Sequence, residues 1–151
     1  MLTHSRNIVQ NVIAGLSLAC LLLIYTTDAA AQDSEPDWVP FERALTLANE
    51  LNKPILIDVW APWCGWCKKM ERDVYPELLD ELDDTFILTR LNRDDNSTRL
   101  DFGKKSLTPL RVAQKLKVES VPGIVFLSAD GEYLAHLRGY VPQETLRLVI
   151  Q

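Results

Sequence analysis

The sequence predicts an α/β domain: a four-stranded mixed sheet with helices on both faces. Three observations lead there. Stretches with apolar residues at helical spacing alternate with short runs of branched residues. The first two runs are separated by a helical stretch, which makes them parallel neighbours. The last two are separated by Asp130-Gly131, a hairpin turn. A chain of 151 residues has room for one small domain of this kind.

In chain order, Phe41, Ala44, Leu45, Ala48 and Leu51 recur on one helical face, and Asn52-Lys53-Pro54 stops that helix. Ile55 to Trp60 reads as a buried strand carrying one acid, Asp58. Ala61-Pro62-Trp63 leads off it, and a helix is predicted to start near Cys64 and to be broken or kinked by Pro76 near Tyr75. Glu77 to Leu82 is again helical, and Phe86 to Asn92 is the second strand. A polar loop covers residues 93–98. Residues 100–107 fit neither period cleanly, and Gly103-Lys104 marks a turn there. Thr108-Pro109 opens a helix, a hydroxyl at the cap and proline in the first turn, which runs to near Lys117. Residues 124–128 and 133–137 form the terminal hairpin, and Pro142 opens a last helix.

The beginning of the chain is of another kind. Arg6 precedes an apolar run over residues 12–25, and Ala29-Ala30-Ala31 supplies small residues before Gln32. This pattern reads as a secretory signal over residues 1–31, cleaved after Ala31, and so as a periplasmic location. An uncleaved membrane anchor is the alternative. The run is shorter than the ~20 residues a spanning helix needs, and Gln10 and Asn11 interrupt its start. Residues 32–40, polar and proline-containing, are expected to be a flexible lead-in to a domain over residues 41–151. Cleavage would remove Arg6 and Asp28 together and leave the net charge at -5. That charge, without a long basic run, argues against a nucleic-acid partner.

Cleavage would also remove Cys20 and leave Cys64 and Cys67. A bridge between residues this close restrains the unfolded chain little, so the pair is better explained by chemistry than by stability. That chemistry needs one thiol ionised near neutral pH, whereas an ordinary cysteine titrates at about 8.5. The unpaired N–H groups of a helix start favour the thiolate. Cys64 is predicted to sit there, exposed at a strand end, with Cys67 one turn on and shielded. The Cys64 thiolate would attack a partner's disulfide, and Cys67 would then displace the partner. Asp58 has two readings: a buried acid that takes the Cys67 proton, or an outward-facing strand residue or hydrogen-bonded structural acid.

Other uses of the pair compete with this one. Zinc needs about four ligands, and past residue 31 the chain adds one histidine, His136, so no metal is expected. Covalent haem attachment needs histidine where Lys68 stands. A copper(I) or folding-assistant module without redox turnover is the rival from another class. It leaves the Trp-Ala-Pro-Trp framing and Asp58 without a purpose.

The segment from Ile57 to Lys68, IDVWAPWCGWCK, closely resembles the active-site segment of the thioredoxin superfamily. Val121-Pro122 is similar to that family's cis-proline loop, and Gly131 and Gly139 fall at its hairpin turn and after its last strand. The resemblance implies a thioredoxin-like fold and a thiol–disulfide oxidoreductase. Cys64 would be the nucleophile, Cys67 the resolving thiol and Asp58 the buried acid. Trp63, Gly65, Trp66, Val121 and Pro122 would meet the partner, Val121 through free backbone groups, and Trp60 would border the site. Partners would be proteins with disulfides or dithiols, and a membrane thiol reductase would supply electrons. No cofactor is implied, because the electrons reside on the sulfurs, and a monomer is expected. Trp66 replaces the proline usual in thioredoxin, the usual first strand has no counterpart, and residues 97–109 are longer than in a minimal member. In these respects the chain looks more like two exported relatives. They are the C-terminal domain of the transmembrane thiol–disulfide interchange protein and the periplasmic thioredoxin of sulfur oxidation. A disulfide oxidase or isomerase is the alternative within the same chemistry.

Overall fold

A computed structural model describes residues 35–151. The expectations of a signal segment or a membrane anchor, with Cys20, lie outside the described residues. Within them, no helix is long and apolar enough to cross a membrane.

The sheet is built around β1 (Ile55–Trp60), which pairs parallel with β2 (Ile87–Asn92) and antiparallel with β5 (Gly123–Leu127). Strand β6 (Tyr133–Arg138) adds antiparallel to β5, giving the order β2-β1-β5-β6. This is the predicted four-stranded mixed sheet. Helices α1 (Phe41–Leu51) and α4 (Pro109–Lys115) pack on one face. Helices α2 (Gly65–Asp73), α3 (Leu79–Thr85) and α5 (Gln143–Ile150) pack on the other.

Alternation along β1 divides the core in two. Ile55, Ile57 and Val59 join the cluster under α1 and α4. Leu56 joins the cluster under α2, α3 and α5, with Met70, Tyr75, Leu82 and Leu146. Asp58 has the parity of Leu56 and meets Tyr75 there. Helix α1 ends as its sequence predicts. Asn52 takes a left-handed conformation (φ 52°) and returns its N–H to the Ala48 carbonyl.

Three expectations need correction. First, the helix holding the cysteines stops at Asp73, two residues short of the predicted break near Tyr75. The N–H groups of Val74 and Tyr75 both bond the Met70 carbonyl, and Pro76, without an N–H, starts a separate 3-10 turn, Pro76–Leu78. Second, the unassigned stretch is a hairpin of β3 (Leu100–Phe102) and β4 (Lys105–Leu107), turning at Gly103 with φ 65°. Leu100 is buried and Phe102 meets the Phe41 ring edge-on, so each strand is short but one side is anchored. Third, the end of the lead-in is docked. The Val39 N–H bonds the Leu88 carbonyl at 3.0 Å, and the Thr89 hydroxyl bonds the Val39 carbonyl at 2.7 Å. Val39 thus makes one parallel bridge on β2, at the place where the missing first strand would lie. Buried Thr89 needs this acceptor, and Trp38 finds an aromatic seat on Tyr75.

Candidate active site

Strand β1 ends at Trp60, and a tight turn in which the Cys64 N–H bonds the Ala61 carbonyl brings the chain into α2. Cys64 is the N-cap of that helix, in extended conformation. Its sulfur accepts the Cys67 N–H at 3.1 Å, in the place where a serine or aspartate oxygen would ordinarily cap. The pair is a disulfide, with the Cα atoms 5.3 Å apart. The expected exposed Cys64 is not observed in this state. Cys64 is 3% exposed and Cys67 2%, packed with Ala61 under the half-buried Trp60 and Val121. The Cys64 sulfur faces the first helical turn, and Val121 packs against the cluster.

The sequence-predicted residues converge. Val121 touches the cysteine cluster, and the Val121-Pro122 bond is cis. The Pro122 carbonyl accepts the N–H of Gly139 at 2.9 Å, which ties the proline loop to the end of β6. Among the described residues, the Val121 N–H and C=O have no backbone partner. Gly65 has open space where a side chain would stand. Trp63 and Trp66 flank the pair and are 65% and 59% exposed, large apolar side chains left in water beside a covered disulfide. Neither is loose. The Trp63 Nε1–H donates to Asp94 at 2.6 Å and Arg93 lies 5.6 Å from its ring, while Trp66 leans on the Tyr140 ring at 5.3 Å.

Asp58 is 1% exposed, and each of its oxygens has a donor. The Tyr75 hydroxyl donates to Oδ1 at 2.9 Å, and Arg90 Nε donates to Oδ2 at 3.0 Å. Arg90 stands directly opposite Asp58 in the β1–β2 register and sends its other arm to Glu71 at 2.6 Å. Its guanidinium lies between two indoles, 4.6 Å from the Trp60 ring and 5.2 Å from that of Trp38. Burial pushes the Asp58 carboxyl above the ordinary range, against the pull of Arg90 and of the Tyr75 hydrogen bond, while Glu71 adds to the rise. Burial likewise pushes the Tyr75 hydroxyl well above 10, helped by the Asp58 charge. Asp58 is therefore not the outward-facing strand residue of the alternative reading. The acid is buried and its pKa is raised, and it is also hydrogen-bonded into a charged cluster.

Sequence reasoning missed Tyr75, Arg90, Glu71, Trp38, Asp94 and Tyr140. Lys69, two residues past Cys67, is paired with Asp73 one turn further along α2. Arg90 had a signal in the sequence, as the one charge inside the second apolar run.

A mixed sheet that offers a Cys-Gly-Trp-Cys disulfide at a helix start, beside a cis proline, defines a thioredoxin-like oxidoreductase. Residues 41–151 match the family described as thioredoxin-like domain, and the chain belongs to it. It is 33% identical over 95 residues to a thioredoxin of Pyropia yezoensis, covering 63% of this chain and 75% of that one. To a thioredoxin of Bacillus subtilis strain 168 it is 32% identical over 96 residues, covering 64% and 78%. The solution structure of a thioredoxin from Thermus thermophilus matches with a TM-score of 0.62, covering 78% of this chain and 85% of that one. Their sequence identity is 20%, so that likeness is one of fold.

Proposed function

We propose that this protein is an exported thiol–disulfide oxidoreductase that reduces, or relays electrons to, disulfides of other exported proteins. The observation that carries the reading is the Cys64–Cys67 disulfide at the first turn of α2, framed by two exposed indoles. Export rests on the sequence of residues 1–31. Electrons would come from a membrane thiol reductase.

In the reduced protein the helix start stabilises a Cys64 thiolate. That thiolate attacks one sulfur of a partner's disulfide, forms a mixed disulfide and releases the other sulfur as a thiolate. Asp58 takes the proton of Cys67. The Cys67 sulfur attacks Cys64, the bond from Cys64 to the partner breaks, and its electron pair leaves on the partner sulfur that Cys64 had attacked. Two electrons have then passed to the partner, and the disulfide seen here is restored. Trp63, Trp66 and Val121 are the surface that receives the partner, the free Val121 backbone groups pairing with an extended segment.

The test is insulin reduction. Turnover is expected in the wild type and is lost in Cys64→Ser, while Cys67→Ser accumulates the mixed disulfide and captures the natural partner. An active Cys64→Ser protein removes Cys64 from the mechanism. The reduction potential decides direction. A value near ~-270 mV supports a reductant, and one near ~-120 mV assigns the chain to disulfide formation instead.

A further inference from the structure

We propose that Tyr75 is a positioning residue for the resolving step, its hydroxyl holding Asp58 in the ionised form that takes the Cys67 proton. The proposal rests on the role given to Asp58 above and adds the group that keeps that acid in its working state.

Tyr75 lies just beyond α2 and is wholly buried in the core beneath it. Phenylalanine would fill the same volume, so the core does not ask for a hydroxyl. A buried hydroxyl without a partner is costly, and among the described residues this one has a single partner, Asp58 Oδ1. The Trp38 ring meets the Tyr75 ring edge-on at 5.3 Å and fixes its plane. The direction of the bond follows from chemistry. The phenol stays protonated, because burial and the neighbouring carboxylate both oppose its ionisation. It is therefore a permanent donor, and a donor stabilises the carboxylate over the acid.

Every charged neighbour of Asp58 must be weighed. Arg90, from β2, donates to the other oxygen and favours ionisation. Glu71, from α2, opposes it and also draws off one arm of Arg90. Burial opposes ionisation most strongly. With its cation shared, Asp58 depends on its second donor. Without the hydroxyl, Oδ1 keeps no donor among the described residues, and the neutral acid, which cannot accept a proton, gains.

The reaction concerned is the second half of the cycle. Asp58 carboxylate accepts the Cys67 proton. A bond forms between the Cys67 and Cys64 sulfurs as the bond from Cys64 to the partner's sulfur breaks, and the partner leaves as a thiolate. The rate of this step should fall at low pH as Asp58 becomes protonated, and Tyr75 should set where that fall occurs.

The experiment reacts the reduced protein with dithiobis(nitrobenzoate), so that one coloured thiol leaves as the mixed disulfide forms on Cys64, then follows release of the second coloured thiol by Cys67 against pH. For Tyr75→Phe the acid limb is expected to move up by about one pH unit, a roughly tenfold slower release on that limb with the alkaline plateau unchanged. Fluorotyrosine at position 75 keeps the ring and strengthens the donor, and it should move the limb down. A role in packing alone would lower thermal stability or slow release at all pH values, and would leave the limb in place. Asp58→Asn separates the two claims. If that variant loses the limb while neither change at Tyr75 moves it, the positioning role is overturned and the role of Asp58 stands. If Asp58→Asn keeps the wild-type limb, the reading of Asp58 fails and takes this one with it.

Discussion

Replacing Arg90 by methionine leaves the Asp58 carboxylate buried without its counter-charge. Removing one partner of a buried ion pair costs about 3–5 kcal/mol, most of it from the charge left behind. Arg90 qualifies as such a partner, since its side chain is 17% exposed and that of Asp58 1%. The contact to Glu71, nearer to solvent, adds at most about 1 kcal/mol. Methionine recovers part of the packing between Trp38 and Trp60. Urea unfolding of the disulfide form at neutral pH should therefore show a loss of about 3–5 kcal/mol. The loss should also depend on pH in a definite sense. Asp58 has a raised pKa in the folded protein, so its contribution is fully present below its unfolded pKa and is lost as pH rises through the folded one. Arg90 works against that rise, so removing it lifts the folded pKa further. The deficit should be small in acid, where Asp58 is neutral in both proteins. It should begin to grow at the wild-type pKa and level off above that of the variant. A deficit of the same size at every pH would refute the assignment to charge, as would a loss below about 1 kcal/mol at neutral pH.

Three other outcomes can be checked with less effort. Leu56→Ala, at a fully buried position of β1, should cost about 2–5 kcal/mol in urea unfolding, because the flanking strands and α2 cannot close the cavity. Gly139→Ala meets no atom within 4 Å, yet Gly139 has φ 74°; the variant should lose about 1–2 kcal/mol from backbone strain alone, read as a lower urea midpoint with an unchanged slope. Asp95 accepts hydrogen bonds from the hydroxyls and N–H groups of Thr98 and Ser97, which hold its carboxyl far below the ordinary range. A carboxylate NMR titration should find it still ionised when other exposed acids have protonated, and what it adds to the loop's order should be present above its unfolded pKa and lost as pH falls through its folded one.

Local patterns account for what the sequence disclosed. The apolar spacing of α1, the branched runs of β1 and β5, the Thr108-Pro109 cap and the Asp130-Gly131 turn are each fixed by residues within a few positions of one another. So is the start of α2, where the nucleophile candidate and the helix dipole are adjacent in the chain. The elements that sequence reading missed depend on distant partners. Strands of three residues such as β3 and β4 carry too little pattern to be seen, and they form because Leu100 and Phe102 find α1. Val39 looks like linker because its strand partner lies 50 residues ahead.

The cluster around Asp58 shows where such reasoning could have gone further. The acid stood out as the one charge in its strand, but Tyr75 and Arg90 follow it by 17 and 32 positions, separations that fit no helical or strand period. Yet once β1 and β2 are taken as parallel neighbours, little freedom remains. Setting Ile55 against Ile87, one residue inside the predicted start at Phe86, brings Asp58 against Arg90, which is the observed register. A slip of one residue would turn the alternation over and bring the Arg90 charge to the face that holds Ile57 and Val59. The alignment that buries the apolar residues is thus also the one that brings the two charges together. Folding and site formation are set by the same choice of register, so a variant that exchanges Asp58 and Arg90 should disturb both strand pairing and redox turnover.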